Sequence, residues 1–411
     1  MKKCILFVDD EPLALQGLQR MLRSMRGDWD MLFAESGARG LEVMSGQFFD
    51  VVVSDMLMPG MNGAAFLSEV RMRHPGVVRL VLSGHAQRDL VMASVGPAHQ
   101  YLAKPCHPET LKTAVTRASS LSSTLNSEPI RQFVLQMDRL PSVPSLYDEL
   151  ITTLQAPEVS AATVAEIMGR DPGMTLKILK MVNSAFFGFY GQVSSVADAV
   201  SYLGLDTIKS LALSINGFSK FESCHFHEHG LDSLWNHSLN TALAAKLIAV
   251  SENAEKKTID AAFTAGLLHD LGKFVLISHL GAQYHEAVQM AIEQNVELSA
   301  AEQQIFGVSH EDVGAYLGGL WGLPTPVLDA ISGHQNPRKA PSKDFTPLTA
   351  VHVAHALVQR PNGAGNGVPA AQLDLDYLTE LGMVERLQTW RTAVDEGLSL
   401  PHNYERENPM R

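Results

Sequence analysis

Five polar side chains of types that can carry phosphate chemistry stand where short apolar segments end: Asp9, Asp10, Asp55, Ser83 and Lys104. Carboxylates that converge at one place repel one another unless a cation lies between them. A few hard oxygen ligands suit Mg²⁺, which also binds phosphate oxygens. A carboxylate beside such an ion can act as a nucleophile on a phosphoryl group and form an acyl phosphate. A nearby amino group and hydroxyl would then bind the added oxygens.

The apolar segments that precede these residues predict a parallel sheet. They are Ile5–Val8, Met31–Ala34, Val51–Val53, Leu80–Leu82 and Tyr101–Ala103. Segments with helical spacing follow the strands, such as the one that holds Leu15, Leu18 and Leu22, and this alternation is typical of a doubly wound α/β fold. Ligands bind at the carboxyl ends of the strands in such sheets. The five polar side chains should therefore meet at one edge.

These motifs, with the turn Met58-Pro59-Gly60-Met61-Asn62-Gly63, resemble the receiver domain of two-component response regulators. The resemblance implies a flavodoxin-like α/β fold with five parallel strands. It also implies that a cognate sensor histidine kinase phosphorylates Asp55, and that Asp9 and Asp10 hold Mg²⁺ together with Asp55.

The same resemblance assigns a switch to the last two strands. Ser83 and Lys104 would form the switch pair that binds the new phosphoryl oxygens. Phosphorylation adds a charge of about −1.5 to −2, which would draw Ser83 and its loop inward. Tyr101 is placed to rotate as that loop moves.

The composition argues against several classes of protein. The chain has 411 residues and a net charge of −12, without a basic run, whereas a DNA-binding output domain needs a basic surface. Three scattered cysteines, Cys4, Cys106 and Cys224, favour a reducing compartment without a disulfide framework. No stretch reaches the about 18 apolar residues of a membrane span, and no signal peptide is evident. The expected location is the cytoplasm, with no DNA and no membrane as partners.

A serine-rich stretch at 118–129 marks the clearest break in composition. We predict a first domain at 1–121, a linker at 122–130 and a second domain at 131–411. The core of the second domain should extend to about residue 360, where a Gly/Pro-rich loop follows. A C-terminal helical extension is expected at 370–400.

Helical signals dominate the second domain. Asp171-Pro172 is typical of a helix start, because Asp caps the first turn and Pro fits the first helical position. Four motifs occur in order: Leu140-Pro141-Ser142-Val143-Pro144, Met168-Gly169-Arg170-Asp171-Pro172, Lys180-Met181-Val182-Asn183-Ser184 and Val196-Ala197-Asp198-Ala199-Val200. They resemble the HDOD family, helical signalling modules related to HD-domain phosphohydrolases. The resemblance implies an all-α HDOD/HD-like output domain.

The HD dyad itself is His269-Asp270, on a predicted helix at 258–278. Ala262, Ala265 and Gly266 share its face, and small residues there would let another helix approach. By the resemblance to active HD enzymes, the ligand series of a metal site would be completed by three further histidines: His237, His310 and His334. Such a site would hold Fe, Mn or Zn.

One position departs from that series. His355 stands where active HD enzymes carry an aspartate, although Asp329, Asp344 and Asp374 are alternatives if the late helix aligns differently. Imidazole cannot supply the negative charge of a carboxylate. The signature of the relatives that cleave cyclic di-GMP is absent, since Gln335-Asn336-Pro337 follows His334.

Two functions remain open on this basis. The first is a phosphorelay response regulator that signals through protein contacts of the HDOD module, either with a downstream protein or as a homodimer. The second is a phosphorylation-regulated, metal-dependent phosphohydrolase. Two further features are interpreted as structural: the histidine-rich tract 224–229 as a solvated loop, and the aromatic residues at 186–190 as a helix-packing corner.

Overall fold

The structure of the protein is a computed structural model. It describes residues 2–84, 97–121, 125, 127–137, 140–156, 158–183, 192–208, 219–220, 231–339, 342–358, 369 and 371–399. The tract 224–229 and the aromatic residues at 186–190 lie outside these ranges. Elements are numbered below over the described residues.

A five-stranded parallel sheet forms the first domain, as the sequence predicts. Its strands are β1 (Lys3–Val8), β2 (Trp29–Ala34), β3 (Val51–Asp55), β4 (Val78–Gly84) and β5 (Gln100–Lys104), in the order β2-β1-β3-β4-β5. The central strands are apolar at nearly every position because both faces of the sheet are covered. Ile5, Leu6 and Phe7, for example, are all fully buried.

Four described helices pack on this sheet: α1 (Pro12–Met21), α2 (Gly37–Gly46), α3 (Gly63–Arg73) and α4 (Pro108–Leu121). Asn62 caps α3, because its side chain accepts a hydrogen bond from the Ala65 N–H. Gly63 begins α3 directly behind Asp55, where a Cβ atom would lie 2.1 Å from the Asp55 carbonyl oxygen. The close approach of α3 to the end of β3 therefore requires glycine at this position.

The second domain is helical. Its helices are α5 (Glu128–Gln136), α6 (Pro144–Gln155), α7 (Ala161–Gly169), α8 (Pro172–Val182), α9 (Val196–Leu203), α10 (Leu231–Ser251), α11 (Lys256–Leu268), α12 (Leu271–Gln294), α13 (Leu298–Phe306), α14 (His310–Leu320), α15 (Thr325–Gly333), α16 (Pro347–Val358), α17 (Leu375–Glu380) and α18 (Leu387–Ser399). One small departure is a parallel pair of two-residue strands, β6 (Pro141–Ser142) and β7 (Ser219–Lys220). Helix α5 begins inside the predicted linker.

The predicted helix at 258–278 is instead two helices. It breaks at His269 and Asp270, and the second piece, α12, continues through a kink at Leu280 as far as Gln294. The stretch Lys256–Gln294 is long and apolar enough to cross a membrane by length and composition alone. Since 89% of its most apolar part is buried within the protein, the stretch is a core segment of the helical domain.

The apolar core joins the two domains. One continuous cluster of buried side chains runs from Val78 and Leu80 of the sheet through Leu111 and Val115 of α4 to Leu317 of α14. The other face of the sheet has a separate core, which α2 and α3 cover. The first domain therefore buries one face of its sheet on its own and shares the other with the helical domain.

Asp171 links two motifs of the helical domain. Its fully buried carboxylate caps α8 by accepting the Met174 N–H at 2.6 Å, and it accepts the Val143 N–H at 2.7 Å. Replacing Asp171 by alanine leaves both buried N–H groups unpaired. We expect the free energy of unfolding to fall by about 2–4 kcal/mol in chemical denaturation. Ser160→Ala, which removes the exposed cap of α7, is the matched control and should cost about 1 kcal/mol or less.

The pH dependence of this contribution has a definite sign. Burial raises the pKa of Asp171 to about 6, above the about 3.9 of an unfolded chain. The carboxyl group therefore stabilises the fold most below pH about 4, and this contribution declines as the pH rises through about 6. Asp171→Asn should remove this decline. An equal decline in both proteins would contradict the assignment.

Candidate functional site

The carboxyl ends of β1, β3 and β5 bring Asp9, Asp55 and Lys104 together, as the strand pattern predicts. The ammonium group of Lys104 donates to Asp9 Oδ2 at 2.6 Å and also to Asp55 Oδ1. Backbone N–H groups hold the other oxygens: that of Leu57 donates to Asp55 Oδ2 at 2.6 Å, and that of Glu11 donates to Asp9 Oδ1 at 3.0 Å. Both carboxylates are thus fixed in orientation.

The remaining predicted residues of this edge lie on β4 and β5 or directly after β1. Asp10 follows β1 and is exposed, whereas Tyr101 is buried on β5. Ser83 lies near the end of β4, in register with Ala103. Burial alone would lower the pKa of Lys104, but its hydrogen bonds to Asp55 and Asp9 raise it. The edge combines carboxylate oxygens with a fixed cation, and this donor set fits Mg²⁺.

A second cluster forms around the helix break between α11 and α12. Gly266 of α11 lies against α10 so closely that a Cβ atom would be 2.7 Å from the Cα of Ala242. This contact is the close helix approach that the small-residue face predicts. It brings His237 of α10 beside His269 and Asp270. We call the six residues His237, His269, Asp270, His310, His334 and His355 the histidine centre.

Three imidazoles of the histidine centre form a triangle. The Nε2 atom of His237 lies 3.0 Å from Nδ1 of His355 and 3.2 Å from Nε2 of His269. Nδ1 of His355 and Nε2 of His269 are 3.1 Å apart. A metal ion bound at about 2.0–2.1 Å to three such nitrogens would hold them about 3.0–3.4 Å apart. The spacing of the triangle therefore suits one metal ion.

Asp270 lies between this triangle and two further histidines. Its Oδ2 atom is 3.5 Å from Nε2 of His269, and its Oδ1 atom is 3.4 Å from Nε2 of His310 and 3.7 Å from Nε2 of His334. The carboxylate thus faces ring nitrogens on both sides. The arrangement offers positions for two ions with Asp270 between them.

Outer hydrogen bonds fix which ring nitrogens face the centre. The Nδ1–H groups of His269 and His334 donate to the carbonyl oxygens of Gly266 and Ile331, at 2.7 and 2.9 Å. The Nδ1–H group of His310 donates to Oε2 of Glu302 at 2.6 Å. Since a neutral imidazole carries one proton, each Nε2 atom then presents a lone pair to the centre. Outer partners of this kind orient histidine ligands in metal sites.

The electrostatics favour the metal-binding forms of these ligands except His310, whose pKa burial would lower but Glu302 raises. Burial and the neighbouring His269 lower the pKa of His237 to about 3, and burial holds the pKa of His334 and His355 well below the usual value. Burial would raise the pKa of Asp270, but the histidines and Lys273 hold it well below its usual value. Neutral imidazoles and an ionised carboxylate are the forms that bind metal.

Two buried atoms of the centre have no hydrogen-bond partner: Oδ1 of Asp270 and Nε2 of His334. Buried polar atoms are seldom left in this state, and an ion is one of the usual reasons. The ligand set, rich in imidazole with the carboxylates of Asp270 and Glu311, fits Fe or Zn better than Mg²⁺. The residues present therefore fit a transition-metal ion.

The three acids considered as alternatives to His355 lie elsewhere. Asp374 caps α17 and pairs with Arg338, Asp344 sits in an exposed turn, and the charge of Asp329 is balanced by Arg117. All six residues proposed for the HD-like site are together, with His355 in the place of the expected acid. The folded protein thus has an imidazole, and not a carboxylate, at the position of His355.

Three residues that the sequence analysis did not assign also reach the centre. Glu311 is buried, and one of its carboxylate oxygens lies within 4.8 Å of ring nitrogens of His310 and His334. Lys273 donates to Oδ2 of Asp270 at 2.8 Å, and Glu302 fixes His310. Lys273 could have been found from its position one helical turn after Asp270. Glu302 carries no local signal, because it comes from α13 and meets His310 through the α13–α14 turn.

Comparison with known proteins identifies two domains in the chain. The family model for the response regulator receiver domain matches residues 5–116, and the model for the HDOD domain matches residues 140–337. An uncharacterized protein of Treponema pallidum is 27% identical over 213 residues, which are 52% of this chain and 40% of that protein. The hydrogenase transcriptional regulatory protein HoxA of Cupriavidus necator is 34% identical over 116 residues, which are 28% of this chain and 23% of that protein.

Among solved structures, the MmoQ response regulator of Methylococcus capsulatus is similar, with 23% identity and a TM-score of 0.49. The similarity covers 62% of this chain and 98% of the MmoQ chain. The matches to the curated relatives named here span less than half of the length of those relatives. The two adjoining family matches establish what the chain is: a response regulator in which a receiver domain is joined to an HDOD domain.

Proposed function

We propose that Asp55 accepts a phosphoryl group in a Mg²⁺-dependent reaction, and that the HDOD domain passes the signal on through protein contacts. The observation that supports this most is the joint placement of Asp9, Asp55 and Lys104 at one end of the sheet. Phosphoryl transfer needs little covalent chemistry from a protein and depends chiefly on positioning and charge. These three side chains provide both.

The residues divide the work of the transfer. An oxygen of Asp55 attacks the phosphorus atom of the donor, and the bond from phosphorus to the donor breaks as the acyl phosphate forms. The Leu57 N–H group holds Oδ2 of Asp55 in place, so that the carboxylate keeps one orientation during attack. Mg²⁺, held by Asp9, Asp10 and Asp55, would neutralise charge on the phosphoryl oxygens.

Phosphorylation would then change the partners of Lys104. The ammonium group now bridges Asp9 and Asp55, and the phosphoryl oxygens offer it a site of higher charge. Ser83 at the end of β4 would hydrogen-bond the same group, and Tyr101 would move with the loop. The switch thus acts on β4 and β5, the two strands nearest the helical domain.

The partners follow from the domain types. A cognate sensor histidine kinase supplies the phosphoryl group, and the HDOD domain contacts a downstream protein, with homodimerisation as the second arrangement. We place the receiver at 1–121, the linker at 122–130 and the HDOD region at 131–411, in the cytoplasm. The match to HoxA covers 116 residues at the receiver only, and the acidic chain does not favour a DNA-binding output.

Incubation with acetyl phosphate and Mg²⁺ tests this function. We expect one acid-labile phosphate per chain, seen as a shifted band on a phosphate-affinity gel and lost when EDTA removes Mg²⁺. Borohydride trapping and peptide mapping should locate it at Asp55. Phosphate that forms equally well in EDTA, or that maps to another residue, would contradict the proposal.

A second function, metal binding by the histidine centre and metal-dependent phosphoester hydrolysis, is favoured by the unpartnered Asp270 Oδ1 and His334 Nε2. A bound transition metal would supply an activated water. The protein positions the ligands and, through Lys273, adds a cation beside Asp270.

The side chain of His237 is 14% exposed and those of His269 and His310 are fully buried. A substrate would therefore enter from the side of His237. Metal analysis of the dialysed wild-type protein tests this function.

A further inference from the structure

The receiver binds the C-terminal end of helix α14. The side-chain amide of Gln100, at the start of β5, donates to the carbonyl oxygens of Gly319 and Leu320 at 3.1 Å each. Arg117 of α4 donates to the carbonyl oxygen of Leu323 at 2.6 Å. Carbonyl groups at a helix C-terminus lack intrahelical partners and carry partial negative charge. Gln100 therefore completes this helix end, whereas Arg117 binds the turn that follows it, since α14 ends at Leu320. We call the contacts of Gln100 and Arg117 together the α14 clamp.

The opposite end of α14 lies in the histidine centre. His310 is the first residue of α14, and its side chain faces Asp270. Its backbone is also packed against the HD segment: a Cβ atom on Gly272 would lie 1.9 Å from the His310 carbonyl oxygen. This contact leaves no room for α14 to move without displacing His310 or the start of α12. A helix of 11 residues spans about 16 Å, so one rigid element connects the clamp with the centre.

Strand β5 connects the clamp with the phosphoacceptor. It has only five residues, with Gln100 at one end and Lys104 at the other. Lys104 is bonded to Asp9 and Asp55. A turn of the ammonium group toward a phosphoryl group on Asp55 would therefore act on the same strand that carries Gln100. Gln100 also lies beside the turn after α14, since a Cβ atom on Gly322 would be at an ordinary contact distance of 3.8 Å from its Cδ atom.

A second set of contacts joins the receiver to helix α5. The guanidinium group of Arg79 at the start of β4 is buried and donates to the Leu135 carbonyl oxygen at 2.6 Å, at the C-terminal end of α5. Arg71 donates to the Gln136 carbonyl oxygen at 2.8 Å. The Nε2 atom of His99, the residue before Gln100, lies 2.9 Å from the same Leu135 oxygen. The start of β5 is thus fixed against α5, and the contacts with α14 begin at the next residue, Gln100.

We propose that the α14 clamp makes the metal affinity of the histidine centre depend on the phosphorylation of Asp55. The intact clamp holds α14, and hence His310, in position for a metal ion. Phosphorylation loosens the clamp, His310 loses its preorganised position, and metal binding weakens. This inference rests on both proposed functions, since it names the regulation of the metal site by the phosphoacceptor. Coupling between two sites in a protein commonly changes affinity about fivefold or more.

The experiment measures the dissociation constant for Zn²⁺ by competition with a chromophoric chelator. The full-length protein is titrated with and without beryllofluoride, a mimic of the phosphoryl group, in the presence of Mg²⁺. We expect beryllofluoride to weaken Zn²⁺ binding at least about fivefold in the wild type and to have no effect in Asp55→Asn. The double variant Gln100→Ala/Arg117→Ala should bind Zn²⁺ as weakly as the beryllofluoride form does, and should no longer respond.

Matched variants separate the clamp from general damage. Lys112→Ala removes a cation of α4 that pairs with Glu109, and it should leave the response intact. Arg117→Lys keeps a donor and should restore part of the response. If the double variant does not unfold cooperatively, Gln100→Glu takes its place in the titration, because this change places a carboxylate against the helix carbonyl groups.

Three outcomes would overturn the inference. Zn²⁺ affinity that is unchanged or increased by beryllofluoride would show that the two sites are not coupled in this way. A double variant that responds like the wild type would exclude the clamp as the route. A wild type that binds no Zn²⁺ before any beryllofluoride is added would remove the metal site itself, and this failure is recognised in the first titration.

Discussion

Replacing Asp55 by asparagine is expected to lower acyl-phosphate formation by about a thousandfold or more. The carboxylate oxygen is the nucleophile in the proposed reaction, and a neutral amide is a much poorer one. The substitution also removes one of the two carboxylates that Lys104 bridges. The initial rate of phosphorylation by acetyl phosphate, read on a phosphate-affinity gel, gives the comparison with the wild type.

Asp50→Asn is the matched control for this experiment. Asp50 precedes β3, bonds Lys3 and accepts the Cys4 N–H at 2.8 Å, away from the carboxyl ends of the strands. The variant should be phosphorylated at a rate close to that of the wild type. If Asp55→Asn kept a tenth of the wild-type rate with the phosphate still acid-labile, the acceptor would have to be another residue.

Replacing His269 by alanine together with Asp270 by asparagine is expected to abolish the retention of Fe, Mn or Zn. His269 supplies one corner of the imidazole triangle, and Asp270 is the only carboxylate that faces both groups of histidines among the described residues. Loss of orienting groups alone costs metal sites about 10–100-fold in affinity, and loss of the ligands should cost more. Plasma mass spectrometry after exhaustive dialysis measures the retained metal, because Mg²⁺ bound at the proposed receiver site would be weakly held and would dialyse away.

His279→Ala is the control for the loss of a histidine from the same region. His279 is exposed on α12, and its ring contacts that of Phe133 in a tilted arrangement outside the histidine centre. This variant should retain as much metal as the wild type. Equal metal in the double variant and the wild type would place the ion elsewhere. A wild type that retains no transition metal would leave the HDOD domain as a protein-contact module.

The group of side chains at the edge of the sheet could be predicted from the sequence, because a parallel sheet brings the carboxyl ends of all its strands to one side. Placing Asp9, Asp55 and Lys104 required only the strand positions. The histidine centre depended on resemblance, since its members come from α10, α14, the end of α15, α16 and the break between α11 and α12. Periodicity alone gave one continuous helix at 258–278, because the residues on both sides of Asp270 are equally apolar.

The contacts between the domains could not be predicted in this way. The receiver contacts backbone carbonyl oxygens of the helical domain through Gln100, Arg117 and Arg79. Any residue type can supply such an oxygen, so the partner sequence carries no signal for the contact. Glu302 was missed for a related reason: its role depends on the angle between α13 and α14, and not on its spacing from another ligand.

The continuous core has a consequence for how such regulators evolve by gene fusion. A receiver that is free of its output domain can be exchanged at the linker with little loss. Here the cluster that includes Val115 of α4 and Leu317 of α14 crosses the domain boundary, so a transplanted receiver must also match the surface that it meets. We therefore expect receivers and HDOD domains of this type to have diversified as pairs, with chimeras tolerated only where both sides of that boundary are inherited together.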